Sequence, residues 1–121
     1  MNRPLSASET HLVRWMLEHG NAEAKDYLTQ LEDATVTPWR CDCGCASLQF
    51  AIRGRELPRG GLRLLADFLF GPSKLPSGVF VYAQEGTLSG VEVYGLGGEA
   101  PKVLPTIDAL RPMSEGASSG S

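Results

Sequence analysis

Three cysteines within five residues, Cys41, Cys43 and Cys45, have the types and spacing that could do chemistry, and they are all the cysteines of this chain. Thiolates bind soft metal ions, and a tetrahedral set of three cysteines and one histidine is a common zinc site. The candidate metal set is therefore Cys41, Cys43, Cys45 and His19, with zinc as the ion and His11 as the other available imidazole. The spacing argues partly against it, because zinc knuckles place two or more residues between paired cysteines and C-x-C-x-C places one. His19 equally reads as a helix-end histidine bonded to a carbonyl. A second reading is thiol redox work: a disulfide closed over Gly44 alone would be strained, and strain makes such a bond an oxidant or a sensor rather than a staple. The plainest reading is that small thiols fill space beside a glycine turn.

Strand geometry separates these readings. An extended run from Arg40 to Ile52 would put the three thiols on one face with Ser47 and Gln49, opposite Leu48, Phe50 and Ile52. A bulge at Gly44 would instead turn some of them inward. Other catalytic patterns are missing: the chain has no G-x-S-x-G, no phosphate-binding P-loop and no H-E-x-x-H. Gly95-Leu96-Gly97-Gly98 runs into Ala100-Pro101, which cannot open a phosphate-binding helix. Glu92, alone among apolar residues, is expected by alternation to face solvent or an arginine.

The elements that must position these residues follow from periodicity. Ser6 and Glu9 fit a capping box, and Leu12, Trp15, Met16 and His19 mark the buried stripe of a helix stopped by a left-handed Gly20. Asn21 can cap a second helix, with Ala24, Tyr27, Leu28 and Leu31 inward and Glu23, Lys25, Asp26, Gln30 and Glu32 outward. Beyond Ala34 the period becomes two. Leu48, Phe50 and Ile52 mark a first strand, and Leu62–Phe70 fits either period but is assigned as strand for its length and flanking glycines. Val79–Ala83 and Leu88–Tyr94 flank Gly86 as a hairpin. Pro105–Leu110 suits one short helical turn, and 113–121 reads as a disordered polar tail.

This order gives an α+β domain over residues 1–112, with an N-terminal helical pair packed on one face of an antiparallel sheet of about four strands. The core is expected from Trp15, Met16, Leu28, Leu31, Leu48, Phe50, Ile52, Val81 and Val93. At 121 residues and 42% hydrophobic content the chain can bury such a core without metal or disulfide staples. Its net charge of −3 argues against wrapping nucleic acid. Between Arg40 and Lys74, six basic residues face three acids, so a local anion-attracting patch is conceivable alongside plain solvated strand ends. The first residues lack the apolar stretch of a secretory signal and no run approaches a membrane span, so a cytoplasmic protein is expected, with no disulfide framework.

Arg40–Ser47, with its C-x-C-G-C-x-S pattern, together with Gly86–Tyr94, resembles a small bacterial domain family of no established activity, whose pattern is C-x-C-G-C-P-S early and G-x-L-S-x-L-E-x-Y late. The likeness spans about residues 5–110, and Ala46 stands where that pattern often has proline. It implies a shared α+β fold and a bacterial origin, and no activity. Taken together, the sequence is that of a non-enzymatic binding or interaction module with a protein partner. A metal-binding accessory protein using the thiols is the alternative, and a thiol redox protein the third.

Overall fold

The structure, a computed structural model, describes residues 2–42 and 44–112. Its elements are β1 (Arg3–Pro4), α1 (Ala7–Glu18), a 3-10 turn (Ala24–Tyr27) leading directly into α2 (Leu28–Leu31), β2 (Ala34–Val36), β3 (Leu48–Ile52), β4 (Leu62–Phe70), β5 (Ser77–Gln84), β6 (Thr87–Gly95), a second 3-10 turn (Ile107–Ala109) and β7 (Arg111–Pro112). The α+β class holds, but the sheet has seven strands, ordered β1-β2-β3-β6-β5-β4-β7, where about four were expected. All neighbours are antiparallel. The extra strands are the short ones. β1 and β7 have two residues each, both containing a proline, and β2 has three, so none is long enough to show a period.

β4, β5 and β6 form a meander, and β3 returns beside the last of them, so the chain between Ile52 and Leu62 must cross to the far side of the sheet. Alternation decides the two faces. Leu48, Phe50 and Ile52 of β3 meet Val79, Val81, Val91 and Val93 under the helices. Buried side chains such as Phe50, Met16, Leu17 and Leu88 each contribute about 1.5–3 kcal/mol. The opposite face carries Phe80, Tyr82 and Tyr94, with Phe80 5.9 Å from each tyrosine ring. Glu92 lies there too, directly across from Phe80, and makes no ion pair with an arginine among the described residues.

The capping box forms as expected, Ser6 Oγ accepting from Glu9 N at 3.1 Å and Glu9 Oε1 accepting from Ser6 N at 2.8 Å. The buried face of α1 differs from the expected stripe: Leu12, Val13, Met16 and Leu17 are inward, Trp15 is half-buried and His19 exposed. Trp15 lies instead over Phe68 and stacks on His19. The second helix is shorter than expected. Asn21 does cap it, its Oδ1 accepting from the amides of Glu23 and Ala24 at 3.1 and 3.0 Å, but the capped segment consists of the 3-10 turn and the four residues of α2. Leu28 is only half-buried as a result.

Gly20 does not take the left-handed conformation expected of a helix stop. It is needed for close approach, since a Cβ there would overlap the Leu65 carbonyl and come within 2.9 Å of the Ala24 and Ala66 methyls. That approach lets Asn21 serve β4, whose register shifts between Leu64 and Ala66. Asn21 N donates to Leu65 O at 2.8 Å and Asn21 Nδ2 to Leu64 O at 2.9 Å, so carbonyls beside the bulge keep partners. The bulge also explains the double period of Leu62–Phe70, because Leu65 and Ala66 are both buried.

At the hairpin, Glu85 and Gly86 both have positive φ, 51° and 75°, as a tight two-residue turn requires. The tail expected at 113–121 lies outside the described residues. Among the described residues, no helix is long and apolar enough to cross a membrane.

A candidate ligand groove beside the cysteine loop

Around Gly44 the chain is not extended strand. Gly44 N donates to Cys41 O at 3.0 Å, and Gly44 has a φ of 78°, so the chain turns at this glycine. Only at Leu48 does β3 begin. Cys43 itself lies outside the described residues, whereas Cys41 and Cys45 are half-buried. The Cys45 thiol donates to Ser47 Oγ at 3.2 Å, and that hydroxyl in turn accepts from Val93 N at 3.0 Å. The first thiol after the turn is thereby tied to the central strand of the sheet.

Cys45 forms part of the wall of a half-open groove of about 660 Å³, a size usual for ligand sites. Three stretches distant in sequence build it: residues 3–12 with the start of α1, Arg40 with residues 44–48, and the segment 102–107. Ala46 N donates to Pro101 O at 2.9 Å and so joins the second stretch to the third. The floor is apolar, made by Leu12, Leu48, Leu104 and Ile107. Arg40, Lys102 and Val103 are exposed, and Val103 keeps 76% of its surface open to water.

The electrostatics of this lining are one-sided. Among the described residues, Glu9 is its sole acid. Arg3 grips it with both guanidinium arms, Nη1 to Oε1 and Nη2 to Oε2, each at 2.9 Å. This hydrogen bonding holds the Glu9 carboxyl below the usual carboxylate range, against a smaller opposing effect of burial. With that acid neutralised, Arg40 and Lys102 set the sign of the rim, and neither makes an ion pair among the described residues.

The four expected metal ligands are not all brought to this place. Cys45 and His11 line the groove. His19 lies about 12 Å further along α1 at 1.5 Å per residue, where its Nδ1 is 2.8 Å from Trp15 O and its ring stacks on Trp15 at 4.2 Å. It lines a different, smaller depression with Asn21 and Pro112. Among the described residues, no three His, Cys, Asp or Glu side chains gather as metal ligands.

The basic stretch from Arg40 to Lys74 is likewise dispersed. Arg53 pairs with Asp33 at 3.0 Å, Arg63 pairs with Glu23, and Arg55 Nη1 reaches Gly86 O at 3.5 Å. Arg40 alone of these lines the groove. Lys102 and Val103 were not among the residues expected to function. A Lys-Val-Leu run between two prolines was the available signal.

Comparison with protein-family models, with curated proteins and with solved structures finds no match to this chain.

Proposed function

We propose that this chain is a non-enzymatic binding module that takes a segment of a partner protein in the groove between α1, the cysteine loop and residues 102–107. One observation carries the reading: the groove joins an apolar floor to a polar rim, the composition of a recognition site. Its reactive-looking groups are also committed to structure. Glu9 caps α1 and holds Arg3, while Ser47 Oγ joins Cys45 to Val93. Selection of a random peptide display library on the immobilised protein tests it. Enrichment of related sequences that lose binding when Leu104→Asp blocks the groove is the expected result. Retention by the variant, or no enrichment, would remove the groove as the binding site.

The second reading is an accessory protein that binds zinc through Cys41, Cys43 and Cys45. It is favoured by His11, which rather than His19 shares the groove with Cys45. Protein purified without chelator would then carry about one zinc per chain. Absence of zinc after supplementation counts against this reading and leaves the first untouched.

A further inference from the structure

Resting on that binding reading, we infer that the groove's occupant is an acidic, apolar segment of a partner protein, its apolar side chains on the Leu12, Leu48 and Ile107 floor and its carboxylates between Arg40 and Lys102. The argument is one of charge complementarity. In a chain whose net charge is −3, the groove lining contains a single acid among the described residues, and that acid is bonded on both oxygens by Arg3. Arg40 and Lys102 come from loops 62 positions apart in the chain and yet border the same groove, so tertiary folding, and not local composition, concentrates the positive charge here. Complementary rim charges steer a partner and select its sign.

Val103 adds the apolar half of the specificity. At 76% it is the most exposed large hydrophobic side chain among the described residues, and it sits between Lys102 and the floor residue Leu104. An apolar side chain from an occupant would cover it while a neighbouring carboxylate reached Lys102. A basic segment would meet Arg40 and Lys102 with like charge, and a purely apolar one would leave both cations without a partner.

Short synthetic peptides test this, with leucines alternating with aspartates, with lysines or with serines, each labelled for fluorescence anisotropy. The aspartate peptide is expected to bind at least about tenfold more tightly than the lysine peptide, and its affinity to fall as salt screens the rim. The paired substitutions Arg40→Glu and Lys102→Glu, at exposed positions, should erase or reverse that preference, and Lys102→Gln alone should weaken it. If the lysine or serine peptide binds the groove as well as the aspartate peptide, or if binding of the aspartate peptide does not respond to salt, the inferred chemistry is wrong and the binding reading stands. If none of the three binds, both fall.

Discussion

Tyr94 on β6 lies across Gly78 on β5, directly opposite it in the sheet register, and its ring occupies the space a Cβ at position 78 would need. Tyr82 likewise lies across Gly90, where a Cβ would overlap the Leu48 carbonyl oxygen and come within 2.8 Å of the Tyr82 hydroxyl. Each tyrosine thus fills what its glycine leaves empty, on the face of the sheet away from α1. Gly78 is not in the left-handed region, so its lack of a side chain serves the ring and not the backbone. Gly78→Ala should therefore destabilise the protein by about 1–3 kcal/mol through overpacking. In a Tyr94→Ala background the same substitution should be neutral or stabilising, because alanine then only gains strand propensity. A double-mutant cycle by urea unfolding checks the sign; equal effects in both backgrounds would contradict the pairing.

Tyr82 should ionise well above the ordinary tyrosine range. Burial, and to a lesser degree the charge of Glu92, pushes its hydroxyl up to about 12. The folded-state value lies above the unfolded one of about 10. The protein's stability therefore holds below about pH 10 and falls above it, as the unfolded chain gives up a proton that the folded chain retains, until Tyr82 itself titrates. Ultraviolet titration of phenolate should show a late step that Tyr82→Phe removes.

The Arg3–Glu9–Ser6 cluster predicts the acid limb. Glu9 is held below its ordinary range in the folded state, so its contribution is present above the unfolded value of about 4.3 and is lost as pH falls through the folded one. Glu9→Gln should flatten the loss of stability below about pH 4. Ser6→Ala should cost about 1 kcal/mol by removing the cap, and most of that cost should persist below about pH 4. Thermal unfolding across pH distinguishes the two: a cost that largely survives at low pH for one, a cost that vanishes there for the other.

Gln30 is a clamp between α2 and the hairpin. Its Oε1 accepts from Leu88 N at 2.8 Å, and its Nε2 donates to Gly86 O at 3.0 Å. Leu88 is fully buried, so Gln30→Ala would leave its amide without a partner, at a cost of about 1–3 kcal/mol. Hydrogen exchange should accelerate at Leu88 first. Unchanged exchange there would contradict the clamp.

Gln30 also marks a limit of what the sequence discloses. Helical spacing puts it on the solvent side, and only the position of a hairpin more than fifty residues later gives it a role. Strands β3, β5 and β6 were legible because one buried face imposes a period of two on Leu48–Ile52 and on both arms of the hairpin. The three short strands were not, since two or three residues carry no period. On α1 the bulk of Trp15 outweighed the better-buried Val13 and Leu17. The groove was legible only in its cysteine wall, because Arg40 and Lys102 reach one groove through tertiary packing and nothing local to either announces the other.

Amide chemical-shift mapping of the labelled protein with the leucine–aspartate peptide tests the central claim most directly. The account predicts that the resonances that move belong to residues 3–12, to Arg40 with residues 44–48, and to residues 102–107, the three walls of one groove. Shifts confined to the Phe80, Tyr82 and Tyr94 face, or scattered without a focus, would contradict it.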